Sequence, residues 1–455
     1  MLGNLVEKIL SYVKEHREDL VKDVVELLRM PSISGSGLGI RETASYLADF
    51  IRERLGGSAV LLEYGGHPIV FGRIKGSSDK KMILYNMYDV QPVEPLELWE
   101  SPPFEARIIG DRIIARGAYN TKGALMSSLL GIETFIRSVG EPPLDILIVL
   151  EGEEEIGSPS MPRFIEDKFS ELRGSEFTLF AIPSERVPGK PSIVLGNKGI
   201  VFIELRARTS RYDVHSSNSR GLYNPAAILA RIASHLIDPL EGPRIPWLDE
   251  KALTPTEEDL RYLQDIREAS PLEELVEMYG ISRTRLSGDD WYIAVYFKPT
   301  VNIDGFTSGY TGPGTKTITP SEAVMRLDFR IVPGIEPEDV IRGVEDLVKR
   351  LGLSEFVKIE VHDAYTWSKT DPRNPYVSLA RDIYSDMMMK PYIIPMLPGS
   401  APAYLFTRRL GVPMISTAPG HGGRAHAPNE YITVDTIPKI AEYVARLLLR
   451  LRERI

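Results

Sequence analysis

The chain has 455 residues, enough for two compact units, and its 43% apolar and 26% charged residues are those of a globular protein with a large buried core. A net charge of −9 argues against a nucleic-acid partner, which a basic stripe would mark. With no cysteine, disulfides, thiolate metal sites and cysteine nucleophiles are excluded, so a metal would fall to Asp, Glu and seven histidines (His16, His67, His215, His235, His362, His421 and His426).

In chain order, residues 5–28 (LVEKILSYVKEHREDLVKDVVELL) repeat apolar positions every three or four residues, which predicts an amphipathic surface helix. The segment is too charged for a signal-peptide core or a membrane span, so a cytoplasmic protein without a membrane partner is expected. A second helix is predicted over 42–55, with short β-branched strands at 68–74, 82–86 and 112–114. A helix at 121–139 and a strand at 144–155, ending in acids, complete an alternating pattern. That pattern predicts an α/β domain with a mostly parallel sheet, whose functional residues gather at the carboxyl ends of strands.

The periodicity changes near residue 198. Strands are predicted at 198–209, 292–302, 323–333 and 357–367, with helices from Asn224-Pro225 and over 337–351. This βαββαβ order predicts a small α+β unit inserted into the larger domain, with a polar excursion of short helices over 238–290. The α/β pattern returns from about 371, giving a discontinuous domain (1–197 and 369–455) and an insert (198–368). A cleft is expected where they meet. The glycine-rich GYTGPGTKT lies among strands of the insert and lacks the Lys-Ser or Lys-Thr context of a phosphate loop.

Five segments carry most of the chemistry: YNMYDVQP (85–92), ARGAYNTKG (115–123), EGEEEIGS (151–158), YDVHSSNSRGLYNP (212–225) and HAPNEYI (426–432). SGYTGPGTKTITP (308–320), DFRIVP (328–333) and PGSAP (398–402) support them. Together, in this order, they resemble the M20 family of zinc aminoacylases and peptidases, particularly its carnosinase-like dipeptidase branch. The resemblance implies a zinc-exopeptidase-like catalytic domain, a lid that often forms a homodimer, and two zinc ions bridged by hydroxide. Its substrates would be small peptides or N-acyl amino acids.

Carried onto this sequence, the resemblance makes Glu154 the general base, and Glu155 and His426 metal ligands. His215 would stabilise the oxyanion. Arg330 would hold a substrate carboxylate, with Gly399 and Ser400 in a substrate-contacting loop. The bland alternatives are a solvated acidic strand end for the glutamates, loop positions for the histidines and an ordinary strand ion pair for Arg330. Three of the family's five ligand positions are substituted: Met87 replaces the first His, Asn120 the bridging Asp, and Phe180 or Ile182 the last acid. Asn120 offers only a neutral carbonyl, and Met87 a soft thioether unsuited to zinc. Asp89, which orients the first His in the family, is left either as a vestige or as an inward-turned ligand. Glu185 and His421 are the nearby alternatives. At most one zinc, or another divalent metal, is expected. Two functions remain open: an M20-type amide hydrolase with a degenerate site, or an inactive relative acting as a binding or scaffold protein.

Overall fold

A computed structural model of the chain describes residues 2–454. Its larger sheet has the order Ser58–Leu62, Ile69–Ile74, Asp145–Glu151, Lys81–Met87, Thr178–Glu185, Met414–Gly423, Tyr431–Thr433, Arg112–Ile114, Arg107–Ile109. The central four of these (Asp145–Glu151, Lys81–Met87, Thr178–Glu185 and Met414–Gly423) pair in parallel. They are apolar on both faces because both are covered. Helices Leu2–Glu15, Arg17–Arg29, Lys122–Ser138 and Thr436–Arg454 build the core on one face. Met161–Asp167 and Leu405–Leu410 pack on the other. The aligned strands place Met87, Glu151 and Glu185 at one edge of the sheet.

A second sheet, Thr300–Ser308, Glu322–Ile331, Gly199–Arg208, Val357–Tyr365, is antiparallel throughout and has its own core with helices Pro225–Leu236 and Pro337–Arg350. The two stretches of chain that pass between the sheets lie side by side, Gly196–Asn197 pairing with Ser368–Lys369. No helix among the described residues is long and apolar enough to cross a membrane.

Three sequence expectations change. The strand expected over 292–302 is a helix, Gly288–Phe297, followed by the strand Thr300–Ser308. Tyr292 and Tyr296, four apart, enter a satellite core with Ile266 and Tyr392, so tertiary packing overrides the strand preference of the aromatic and β-branched residues. The strand expected over 144–155 ends at Glu151, and Glu154–Ile156 forms a separate helical turn. The first helix is interrupted at His16. The excursion does contain short helices, among them Glu257–Arg261 and Leu272–Tyr279.

Candidate active site

The sheet edge that collects Met87 and Glu151 also carries the turn bearing Glu154 and Glu155. Asp89, fully buried, fixes that turn by accepting the backbone N–H groups of Glu154 (3.2 Å) and Glu155 (3.0 Å). Burial raises the Asp89 carboxyl to about 7, against the lowering effect of those bonds. Asp89 is thus neither idle nor aimed as a ligand. It positions the two glutamates.

Asn120, Glu155 and His426 meet at one point. Asn120 Nδ2 lies 2.7 Å from Glu155 Oε1 and 2.8 Å from His426 Nε2, and Glu155 Oε1 is 3.2 Å from His426 Nε2. Gln91 Nε2 donates to the other Glu155 oxygen at 2.8 Å and fixes its rotation. The bond to Glu155 raises the His426 pKa, with burial opposing it. His426 itself has φ 63°, left-handed backbone that non-glycine residues adopt rarely and that clusters at functional sites.

A buried ion pair sets the loops that carry Asn120 and His426. Arg116 donates to Glu430 Oε2 at 2.8 Å, both residues being almost wholly buried. Glu430 Oε1 accepts the N–H groups of Tyr119 (3.0 Å) and Asn120 (2.8 Å), while Arg116 also reaches the carbonyls of Ala427 and Pro92. Gln91, Arg116 and Glu430 lie inside the sequence motifs, yet nothing in the sequence marked their roles.

Glu154 is the acid without a partner. Its carboxylate takes no hydrogen bond among the described residues. Burial, reinforced by Glu155, Glu151 and Asp89, raises its pKa well above the usual range. It borders a cavity of about 20 Å³, shared with Ser158, Tyr365 and Tyr404, which has room for one water.

Behind it, Glu151 accepts a bond from Tyr85 Oη, while its Oε2 is buried without a partner. Burial lifts Glu151 to about 8, above the roughly 4.3 of an unfolded chain. Its contribution to stability is therefore present below about pH 4.3 and lost as pH rises through about 8. Urea midpoints at pH 5 and pH 9 are expected to fall across that interval in the native protein, and to fall less in Glu151→Gln.

The substrate-handling positions converge only in part. Arg330 donates to Ser400 Oγ at 2.9 Å and to Asp328 at 2.8 Å, and the Gly399 carbonyl accepts from Asn197 at 3.4 Å. Tyr365 feels the charges of both Glu154 and Arg330, and stacks on Tyr404 at 5.5 Å. This links the acid cluster to the Arg330 arm. His215 is exposed and hydrogen-bonds within its own turn, to Ser217 at 2.9 Å. No bond joins it to Glu154 among the described residues.

A profile of peptidase family M20/M25/M40 matches residues 83–450. The chain belongs to that family. The M20 family metallo-carboxypeptidase Sso-CP2 from Sulfolobus solfataricus is 33% identical and superposes with a TM-score of 0.89 over 96% of this chain and 99% of its own. The Cys-Gly metallodipeptidase dug1 of Schizosaccharomyces pombe is 25% identical over 76% of each chain. The probable di- and tripeptidase DUG2 of Saccharomyces cerevisiae is 23% identical over 96% of this chain. The present chain spans about half, 51%, of that relative's length.

On one side of the Asn120–Glu155–His426 convergence, the positions expected to have lost their metal ligands carry neither carboxylate nor imidazole. Met87 is buried at the end of its strand, and Phe180 packs on Tyr85 with ring centroids 5.0 Å apart. Glu185 accepts the N–H groups of Gly189 and Gly420. His421 engages the Glu185 carbonyl and Tyr431 Oη. Neither is free to replace a lost ligand, so these residues do not fit a second metal. They do fit one. The 3.2 Å between Glu155 Oε1 and His426 Nε2 matches the edge of a tetrahedron around zinc with bonds of about 2.0–2.1 Å. Turning the Asn120 amide would present its oxygen as a third donor. Asn120→Asp would restore an anionic ligand there, and zinc titration by calorimetry should show binding at least about 10-fold tighter than native.

Proposed function

We propose that this M20 protein hydrolyses amide bonds in dipeptides or N-acyl amino acids, using at most one divalent metal ion. The observation that carries this reading is the unpartnered, buried Glu154 beside the converging Glu155, His426 and Asn120. A bound zinc or similar ion would acidify a water and polarise the scissile carbonyl. Glu154, its pKa raised, is suited to take a proton from water and return it to the leaving amine. Glu155 is held by Gln91, and Arg330 with Ser400 offers a fork for a substrate carboxylate. The printed activities of dug1 and of the Beta-Ala-His dipeptidase of Homo sapiens, 22% identical over 86% of this chain, support peptide substrates.

The reading divides the chain into a catalytic unit (1–197 and 369–455) and a lid (198–368) in a cytoplasmic homodimer. His215, exposed and with its side chain bonded only within its own turn among the described residues, would reach the site of a partner copy. A dipeptide screen with zinc, manganese or cobalt tests the whole proposal. Hydrolysis that requires metal and disappears in His426→Ala supports it, and hydrolysis of no peptide with any metal refutes it.

One observation favours the second reading, an inactive binding or scaffold protein. The Asn120 amide already hydrogen-bonds to both Glu155 and His426, closing with its own nitrogen the space a metal would share. Protein that takes up no metal from excess zinc would establish that reading.

A further inference from the structure

Arg330 has a second side. Besides contacting Ser400 it borders a pocket of about 500 Å³ lined by the excursion, by Thr300 of the second sheet and by the stretch that joins the sheets, a volume suited to a small-molecule group. At the inner end of this pocket stands Lys198, 2% exposed, in the stretch that joins the two sheets. Its ammonium donates to one acceptor, the Lys298 carbonyl, and has no carboxylate partner among the described residues. An ammonium carries three donors, so two remain for a ligand. Arg285 and Lys298, exposed in the lining, form no ion pair among the described residues, although the charge of Lys298 acts on Asp249. Glu241 and Asp249, the acids of the lining, are exposed as well. Two cations, Lys198 and Arg330, therefore line the pocket; Asp328 pairs with Arg330 and Asp304 beside Asp328 also feels the charge of Arg330, whereas no carboxylate pairs with Lys198 among the described residues.

A buried ammonium without a counter-ion is unfavourable, and an anion that enters beside it relieves that penalty. Burial and the neighbouring Arg330 already lower the Lys198 pKa to about 7. An anionic ligand would return it to the charged form. We infer that Lys198 makes this pocket a subsite for a second negative charge, so that the preferred substrate ends in a dicarboxylic residue whose backbone carboxylate meets Arg330 and whose side-chain carboxylate meets Lys198. This deepens the hydrolase reading and rests on it for the word substrate. The anion subsite itself does not depend on turnover.

The test measures binding of free L-glutamate and L-leucine by calorimetry, alongside kcat/KM for Ala-Glu and Ala-Leu. The native protein should bind glutamate at least about 10-fold more tightly than leucine, as charge-assisted bonds in a partly dry pocket allow. Lys198→Met should reduce that preference to within about 2-fold, and Lys198→Arg should keep most of it. Lys298→Met, at an exposed position, should weaken the preference partially and guards against misfolding of the buried variant. Equal binding of both amino acids by the native protein, or an unchanged ratio in Lys198→Met, overturns the inference. Lys198-dependent glutamate binding without hydrolysis of any peptide refutes the hydrolase and leaves the subsite standing. Metal-dependent peptide hydrolysis with equal binding of glutamate and leucine does the reverse.

Discussion

Glu154→Gln is expected to lower kcat by about 10²–10⁴-fold, the range of a lost general base. It should leave metal content and KM nearly unchanged. Glu154 makes no side-chain hydrogen bond among the described residues, so the amide breaks no contact. The same substitution should make the protein more stable at neutral pH. A carboxyl whose folded pKa is raised disfavours ionisation in the native state, so its stabilising contribution exists at low pH and is lost as pH rises. Gln does not ionise and escapes that loss. A variant that is inactive yet melts at or above the native temperature at pH 7.5 fits a base held at the expense of stability. Activity within 3-fold of native would assign proton transfer to another group.

Arg116→Ala is expected to destabilise the protein by about 3–5 kcal/mol, the penalty for leaving a buried carboxylate without its partner. Glu430 is pushed upward by burial and held down by Arg116 and by the backbone bond from Asn120. Once Arg116 is gone, Glu430 must take up a proton or find water. The effect should extend past stability. Glu430 holds the N–H of Asn120, and Arg116 holds the carbonyl of Ala427 next to His426. Both sides of the Asn120–Glu155–His426 convergence should therefore loosen. Urea unfolding at pH 7.5 measures the first effect and zinc affinity the second. A folded variant with full stability but weakened zinc binding would separate the two roles, contrary to the account.

Much of the architecture was legible because periodicity follows burial. The doubly covered strands read as apolar runs, and three of the second sheet's four strands followed from their alternation. The 292–302 segment was not legible, since a short run rich in aromatic and β-branched residues suits either a strand or a buried helix. In the site, Glu154, Glu155, Asn120 and His426 were singled out as motif residues, and Asn120, Glu155 and His426 lie within hydrogen-bonding distance of one another. Asp89 was harder. Its partners are backbone N–H groups of Glu154 and Glu155, which leave no trace in residue identity. The Arg116–Glu430 pair spans 314 positions, and one sequence carries no sign of which Arg meets which Glu. Lys198 sits in GNKG, a stretch with no chemical signature until the fold buries it.

The most direct measurement is metal content by elemental analysis of protein purified without an affinity tag and equilibrated with zinc, paired with a dipeptide hydrolysis assay on the same sample. The account predicts about one metal per chain, lost in both Glu155→Ala and His426→Ala, with hydrolysis following the bound metal. Two tightly held metals per chain, or hydrolysis that persists when no metal is bound, would contradict it.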